Sequence, residues 1–416
     1  MTNSRPRVAV IADKRRPDAV AQALFALGNA WPTVPAQGVI VKPNLVSHND
    51  LRASTHPITL GAVADFIYAR GATEITIAEG ASDASAGFAN LGHQRMFWKR
   101  PVRWFDINRD EHDWQEILLR GTDGSLRASR LSRTMASAPL VVSVAQAKTH
   151  VNTMLTASMK NLMSCIHPQD RIQMHGYKAG GNGHSGLKGS IVEWLKGESA
   201  AVGLATTLIG RMKQTGLLAQ WLAGRLKWNK LSGSQREFCR SIAALHTNLV
   251  RLNQAVGPRL AVVDGFSAMD GEGPRLGRSR NLGWVVAGTD PVAVDTVVAT
   301  LMGMNTENIG YLKLGEKAGL GRARLEDIEI VGDSVSSLQK RCRLHSHAPL
   351  QQFWPKALAD LGEGPKPAKK QSGEHHEPAK AAQSGGKAIG HTAQKQAGQG
   401  HPPRKGNKKR QNRSRH

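Results

Sequence analysis

Cysteine is scarce in this chain, which has three cysteines in 416 residues and no CxxC pair. Three cysteines cannot build the disulfide framework of a small secreted domain, and they cannot supply a four-cysteine zinc or iron–sulfur site. Long apolar runs are also absent, because no stretch approaches the roughly 18 residues of a membrane-spanning helix. No targeting segment is apparent, so we expect a cytoplasmic protein with reduced, isolated cysteines.

Acidic residues are few, and 32 Asp+Glu against 56 Lys+Arg give a formal net charge of +24. Residues 363–416 carry 13 Lys+Arg and 3 Glu, a net charge of +10, which leaves +14 for residues 1–362. Ile389 is the single large aliphatic residue of this C-terminal segment. So little apolar surface cannot offset chain entropy. We therefore predict a folded core over 1–362 and a disordered basic tail over 363–416.

The tail ends in a dense run of positive charge within the letters PPRKGNKKRQNRSRH. Its basic residues are Arg404, Lys405, Lys408, Lys409, Arg410, Arg413 and Arg415. Lysine and arginine at this density bind the phosphate backbone of RNA or DNA without sequence preference. The run has no aromatic residue for stacking on bases. Two interpretations stay open, a nucleic-acid contact and a solubilising tail.

The core alternates short β-branched runs with longer helical patterns. We predict strands over 8–12, 38–43, 74–78, 102–107, 139–144, 260–263, 283–287 and 327–331. We predict helices over 19–27, 58–69 and 291–302. Continuous apolar strands separated by helices indicate the α/β class, with a mostly parallel sheet covered by helices on both faces.

Residues 176–236 interrupt this pattern and are predicted to be a basic helical insertion. Positions 199–236 contain six basic residues and no acidic one. The apolar residues approximate a helical stripe, namely Leu208, Met212, Leu218, Trp221, Leu222 and Leu226. The stripe either packs on the core or forms a basic amphipathic helix that contacts a membrane surface or a partner.

Polar side chains gather where the predicted strands end, which is where open α/β sheets bind ligands. Lys42 and Asn44 follow one strand, and Thr55 and His56 stand before the helix that begins at Pro57. Each of these four residues is a candidate ligand-binding residue. Thr55 or His56 could equally cap the helix, because Pro57 suits its first turn.

A second group follows the strand predicted over 139–144. Lys148 and His150 come first, and Lys160 and Asn161 come later, on a short helix. Neighbouring lysines bind anions and lower each other's pKa, and histidine transfers protons near neutral pH. We predict that Lys148, His150 and Lys160 are catalytic and that Asn161 binds the ligand. The alternative is a solvated basic face.

Carboxylates and further histidines complete the candidates. Asp264 ends the strand predicted over 260–263 and is our candidate for a catalytic carboxylate. Asp290 precedes Pro291 and is expected to cap a helix. His167 and His175, close to Cys165, are our candidate metal pair, although their spacing is not a zinc signature.

Several ordered motifs together resemble the family named domain of unknown function 362. The motifs are VKPNLV…THP, GATEITIAEG, AKTHVNTMLTASMKNLMSCI, VVDGFSAMDGEGP and GTDPVAVDTVVATLMG, over about residues 7–335. Many relatives carry a ferredoxin-like module with cysteine-rich cluster motifs, and this chain lacks such a run. The THP element is also distantly similar to the nickel-dependent lactate racemases, which would suggest proton or hydride chemistry on a small acid.

Three functions remain open at this point. The first is an enzyme that acts by acid–base chemistry on a small anionic ligand, either a carboxylate or a phosphate. The second is a nucleic-acid-associated protein that binds through its tail, and the third is an accessory protein that handles a metal or cluster. The sequence identifies no cofactor.

Overall fold

Strands and helices alternate along the chain in a computed structural model that describes residues 5–97, 99–111, 113–179 and 226–362. The strands are β1 Arg7–Ala12, β2 Val39–Lys42, β3 Ile75–Glu79, β4 Val102–Asp106, β5 Trp114–Arg120, β6 Leu126–Ser132, β7 Leu140–His150, β8 Met154–Thr156, β9 Leu260–Asp270, β10 Arg278–Arg280, β11 Trp284–Gly288 and β12 Glu329–Gly332. Ten of these form one sheet, whose main path has the order β12-β1-β11-β9-β7-β2-β3-β4.

Most neighbouring strands of the main path are parallel. Along it, β11 runs antiparallel to both β1 and β9. The remaining pairs, from β12 with β1 to β3 with β4, are parallel. Two short strands, β8 and β10, extend β7 and β9 in antiparallel fashion, and β5 and β6 form a separate hairpin. The predicted α/β class with a mostly parallel sheet is confirmed.

Helices cover both faces of the sheet. They are α1 Arg16–Ala26, α2 Pro57–Tyr68, α3 Ala84–Asn90, α4 His93–Met96, α5 Arg133–Ala136, α6 Ser158–Asn161, α7 Gly233–Val256, α8 Pro291–Leu301, α9 Gly310–Lys317, α10 Val335–Leu338, α11 Ala348–Gln351 and α12 Trp354–Asp360. Two hydrophobic clusters follow from the alternation of side chains along each strand. Ala9 and Ile11 pack with α1 and α2, whereas Val8 and Val10 pack with α7 and α8.

Each of the eight predicted strands is present, but two are longer than expected. The strand predicted to end at 144 continues to His150, because β8 pairs with its last residues and Lys148 lies opposite Thr156. The strand predicted to end at 263 continues to Asp270, where β10 pairs with it. Lys148 and His150 therefore belong to β7 and Asp264 lies inside β9. The predictions that the first two follow a strand and that Asp264 stands at a strand end were wrong.

Four strands and the longest described helix were not predicted. In the hairpin β5–β6, exposed charged residues such as Glu116 and Arg130 interrupt the apolar ones, so neither strand appears as a continuous β-branched run. Helix α7 begins with a capping box, in which Ser232 and Gln235 satisfy each other's backbone donors. This helix starts near the end of the segment that we predicted as an insertion.

Most of the predicted insertion and the whole predicted tail lie outside the described residues. The predicted apolar stripe, except for its last residue Leu226, and the basic residues at 404–415 belong to that part of the chain. Within the described ranges, no helix is both long enough and apolar enough to cross a membrane. Cys165, Cys239 and Cys342 are all buried and free, as expected for isolated thiols.

Candidate anion-binding site

A buried ion pair links the carboxyl ends of β2 and β3. The amine nitrogen of Lys42 lies 2.9 Å from Oε1 of Glu79, and both side chains are completely buried. Glu79 also accepts hydrogen bonds from the backbone amides of Leu45 (2.9 Å) and Gly80 (2.7 Å), and from the hydroxyl of Ser164. Burial alone would raise the pKa of Glu79, but Lys42 and these donors hold that pKa below its usual value. The pair is therefore charged and well satisfied.

Asn161 connects this ion pair to the neighbouring loop. Its Oδ1 accepts from Nζ of Lys42 and from Nδ2 of Asn44, each at 3.3 Å. Its Nδ2 donates to the backbone carbonyl of Lys42 at 2.9 Å and to the hydroxyl of Ser143 at 3.0 Å. The asparagine is buried and satisfied at both ends of its amide. The structure thus brings together Lys42, Asn44 and Asn161, three residues that the sequence predicted as ligand-binding.

Lys148 lies at the other end of this chain of hydrogen bonds and is also completely buried. Its Nζ donates to Oδ1 of Asn44 and to the backbone carbonyl of Ala53, the latter at 2.7 Å. Among the described residues no carboxylate forms an ion pair with it. Burial, and then the charge of Lys160, lower the pKa of Lys148 to about 7, although Glu79 acts in the opposite direction. Lys148 is therefore poised to exchange a proton at neutral pH.

The charge of Lys160 acts on Lys148 and on two buried histidines, His150 and His175. Burial lowers the pKa of the half-buried Lys160 to about 8, so this side chain remains mostly protonated at pH 7. The pKa of His150 is held well below its usual value, first by burial and then by Lys160, His175 and His345. Burial and Lys160 together lower the pKa of His175 to about 3. Both imidazoles are therefore neutral and close to a cation.

The hydrogen bonding of His150 fixes the position of its ring proton. Its Nδ1 accepts from the backbone amide of Asn152 at 3.0 Å, so the proton of the neutral ring is on Nε2. Nε2 makes no hydrogen bond to any described residue. The buried Nδ1 of His175 likewise has no partner in the described part of the chain. A ligand with acceptor oxygens would satisfy the Nε2–H of His150.

Asp295 on α8 holds the short helix α6 that carries Lys160 and Asn161. Its carboxylate accepts from the backbone amides of Ser158 (2.8 Å) and Met159 (3.1 Å), and from the hydroxyls of Ser158 and Tyr311. Burial nevertheless raises the pKa of Asp295 to about 6. A four-residue helix has little stability of its own, so this anchor determines where Lys160 and Asn161 lie.

Thr55 and His56 have structural contacts at the start of α2. The hydroxyl of Thr55 accepts from the backbone amide of Asn44 and donates to the carbonyl of Val144, both at 2.8 Å. His56 is the N-cap, and its Nδ1 accepts from the amide of Ile58 at 3.2 Å. Burial and the charge of Arg16 lower the pKa of His56 to about 4. The capping alternative therefore describes His56, while Thr55 holds the loop that contains Asn44.

Asp264 belongs to a different cluster from Lys148. Its Oδ2 lies 3.2 Å from Nε of Arg16 and accepts from the hydroxyl of Thr59, and its Oδ1 accepts from the amide of Phe266. Asp264 lies two residues after Val262 in β9, so the two side chains are on the same face of the sheet. Val262 packs against α1 and α2, and the carboxylate therefore points to the face that these helices cover. The expectation that Asp264 joins Lys148 and Lys160 was wrong.

The two histidines of the predicted metal pair lie at the two ends of one 3-10 helix and have different neighbours. His167 caps this helix, which spans Pro168–His175, and its ring packs edge-on against Trp114. His175 is the last residue of the helix, is buried, and is affected by the charge of Lys160. Burial raises the pKa of Cys165 to about 12. In the described ranges, no group of three or more His, Cys, Asp or Glu side chains could hold a metal ion.

Sequence reasoning did not assign Glu79, which pairs with Lys42, or His345, whose charge affects His150. Glu79 ends β3 beside Lys42, and its position at a strand end was the available signal, although its pairing was not deduced. His345, whose Nε2 lies 3.1 Å from Oε2 of Glu272, comes from a C-terminal segment without a recognisable motif. Near it, Gln351 donates to the backbone carbonyl of His150 at 3.0 Å. This segment therefore closes over the end of β7.

A comparison with protein families now bears on this arrangement. The model of a domain of unknown function, DUF362, matches residues 39–300, which is more than half of the chain. The chain belongs to the DUF362 family. The resemblance seen in its motifs is confirmed, and the matched range includes Lys42, Asn44, Lys148 and Lys160. His345 and Gln351 lie beyond the end of the DUF362 match.

Two known proteins show more distant similarity. The thylakoid-associated protein sll1697 of Synechocystis sp. is 21% identical over 296 residues, which are 70% of this chain and 71% of the relative. The lactate racemase apoprotein of Thermoanaerobacterium thermosaccharolyticum is 20% identical with a TM-score of 0.27. The latter alignment covers 42% of each chain, so the DUF362 chain spans less than half of that enzyme. No residue role follows from so partial a likeness.

Proposed function

We propose that this DUF362 protein is an enzyme that binds a small anionic ligand, a carboxylate or a phosphate, and transfers a proton on it with Lys148. The observation that carries the proposal is the surroundings of this lysine. Lys148 is completely buried, has no carboxylate paired with it among the described residues, and donates to the oxygens of Asn44 and Ala53. Buried titratable groups with strongly shifted pKa values cluster at functional sites.

Its hydrogen bonds suit Lys148 to the role of a base. A neutral amine has two N–H donors and one lone pair, and both donors are used by Asn44 Oδ1 and Ala53 O. The lone pair is then directed away from both acceptors and is available to take a proton. A base whose pKa is near the working pH combines a populated neutral form with adequate proton affinity. The resulting ammonium returns the proton in the second half of the reaction.

The neighbouring groups suit an anion. Lys160 supplies positive charge, and the Nε2–H of His150 is a donor that no described residue uses. Exposed Arg275 also contributes positive potential at Lys148 and lowers the pKa of that lysine. An anion at this place would relieve the repulsion among these groups. Lys42 would not serve as a ligand contact, because Glu79 already neutralises it.

Solvent exchange of substrate hydrogens tests the reaction class. The protein is incubated in D₂O with small carboxylates and phosphate esters that have a hydrogen next to the anionic group, and exchange is followed by proton NMR. We expect exchange on at least one member of the panel, with the rate rising as the pH passes about 7 and then levelling off. Lys148→Met should abolish the exchange.

Binding controls keep this test specific. Lys160→Met should weaken binding of the same compound, whereas Lys317→Met, on an exposed lysine of α9, should change neither binding nor exchange. Borohydride in the presence of a keto acid distinguishes a base from an amine that forms an imine, because only an imine is trapped. Normal binding and exchange by both Lys148→Met and Lys160→Met would refute the assignment.

A second proposal concerns the C-terminal basic run, independently of the site. We propose that it contacts the phosphate backbone of RNA or DNA. Seven Lys and Arg residues fall within 404–415, and the net charge of residues 363–416 is +10. Binding of this kind releases counterions and is therefore steeply weakened by salt.

A further inference from the structure

A series of hydrogen bonds runs from Lys42 through the side-chain amides of Asn161 and Asn44 to Lys148. The chemistry of these groups fixes which atom donates and which accepts in each bond. A lysine ammonium such as that of Lys42, which is paired with Glu79, only donates, and a backbone carbonyl only accepts. The amine of Lys42 contacts one end of the Asn161 amide, and the carbonyl of the same lysine contacts the other end. The first end must therefore be the oxygen and the second the nitrogen. The orientation of Asn161 is set by one residue acting on both of its ends.

This orientation passes on to Asn44. The oxygen of Asn161 can only accept, so the end of the Asn44 amide that faces it must be the nitrogen. The oxygen of Asn44 is then the end that faces Lys148. A flipped Asn44 would present two N–H donors to Lys148, which in its charged ammonium form has donors and no acceptor. All these atoms are buried, so an unmatched donor pair would be costly.

We propose that Asn161 is a positioning residue for the proposed proton transfer, which through Asn44 keeps an acceptor oxygen directed at the amine of Lys148. The proposal rests on the proposed function for its meaning, since it concerns the group that we assign as the base. Lys42, neutralised by Glu79, is the fixed starting point of this series of hydrogen bonds. This gives a role to a buried ion pair whose two charges neutralise each other.

Asn161 also restricts where the amine of Lys148 can lie. An acceptor that is held in place uses one N–H of Lys148, and the carbonyl of Ala53 uses another. The remaining position on the nitrogen is then fixed in direction. An asparagine that was free to rotate would leave the amine free to turn. We therefore expect Asn161 to affect both the proton affinity of Lys148 and the geometry of transfer.

The test measures the pKa of Lys148 directly, by NMR titration of lysines labelled with ¹³C at Cε, with the resonance assigned by its loss in Lys148→Met. The charged amine hydrogen-bonds more strongly than the neutral one, so losing a fixed acceptor should lower the pKa by about one unit. We expect this fall in Asn161→Ala and in Asn161→Leu, which fills the space without an amide. Asn248→Ala, which removes a buried asparagine from α7, is the control and should leave the pKa unchanged.

A double-variant cycle shows whether Asn161 acts through Asn44. Asn44→Leu alone should lower the pKa of Lys148, and adding Asn161→Ala should lower it no further. An unchanged pKa in both Asn161 variants, with a fall in Asn44→Leu, would overturn the positioning role and leave the proposed base intact. A pKa near 10 for Lys148 in the unaltered protein would instead overturn the proposed function. The two failures are thus distinguishable.

Discussion

The amine of Lys42 lies 2.9 Å from the carboxylate of Glu79, and neither side chain is exposed to solvent. Lys148 is linked to Lys42 by hydrogen bonds through Asn44 and Asn161 and is equally buried. Among the described residues, however, its hydrogen-bond partners are only neutral oxygens. The two lysines therefore differ in chemistry although they share one environment. Lys42 is held as a charged structural group, and Lys148 is free to change its protonation state.

Glu79→Gln tests whether Lys42 is a charged group that depends on its carboxylate partner. The change leaves the ammonium of Lys42 buried without a carboxylate, which typically costs about 3–5 kcal/mol. Urea denaturation followed by circular dichroism measures the free energy of unfolding. Lys42→Met combined with Glu79→Gln removes both charges, so we expect it to destabilise less than Glu79→Gln alone. A larger loss in the double variant would contradict a charged pair.

Lys148→Met tests whether the pKa of Lys148 is lowered in the folded protein, through the pH dependence of the unfolding free energy. The pKa of Lys148 is about 7 in the folded protein and about 10.4 in an unfolded chain. Between these values the unfolded state binds more protons, so this lysine makes the free energy of unfolding rise with pH, by at most about 1.4 kcal/mol per unit. Lys148→Met removes that contribution.

The measurement is the difference in unfolding free energy between the two proteins from pH 7 to pH 10. We expect the unfolding free energy of the unaltered protein to increase relative to that of Lys148→Met throughout this range. Lys317→Met is the control, because an exposed lysine should produce a flat difference. A flat difference for Lys148→Met as well would mean that its pKa is not lowered.

Much of the sheet could be predicted, because its strands are buried on both faces and appear as short β-branched runs such as VIVK at Val39–Lys42. The ends of β7 and β9 could not be predicted. Beyond residues 144 and 263 their sequences become polar, and pairing with β8 and β10 rather than composition continues them. Long-range pairing of this kind leaves no local signal.

The site could be predicted in part for a related reason. Lys42, Asn44 and Asn161 were found because they end a strand, follow it or lie on a short helix, whereas Lys148 was found from a predicted strand end that the structure moves to His150. The separation of Asp264 required knowing which face of the sheet its side chain occupies, and strand alternation gives that only once the register is known. Glu79 and His345 were not assigned, since their partners are 37 and 73 residues away in sequence.

Asp295→Ala should detach α6 from the core. Four hydrogen bonds are lost, from the amides of Ser158 and Met159 and the hydroxyls of Ser158 and Tyr311. We expect the free energy of unfolding to fall by about 2–4 kcal/mol, since two buried backbone donors lose their partner. Anion binding should also weaken, because Lys160 and Asn161 are on α6.

A variant of the same helix provides the control for that prediction. Asp290 caps α8 by accepting from the amide of Ala293, and confirms the expected N-cap. Asp290→Ala should cost about 1 kcal/mol and leave binding unchanged. Equal effects of the two variants on binding, at matched stability, would show that Asp295 has no special role at the site.

The C-terminal basic run gives a prediction about salt. The test variant removes seven charges from the 416-residue chain and leaves its length unchanged. It has glutamine in place of Arg404, Lys405, Lys408, Lys409, Arg410, Arg413 and Arg415. If all seven contact single-stranded RNA, the logarithm of the binding constant should fall with the logarithm of salt concentration with a slope of about −5. The glutamine variant should lose that slope and bind poorly even at low salt. Fluorescence anisotropy with a labelled oligonucleotide measures both quantities.

RNA and DNA oligonucleotides of mixed sequence should bind alike, because the run offers charge and no aromatic side chain. An unchanged slope in the variant would assign any binding to the folded core, whose own net charge is +14.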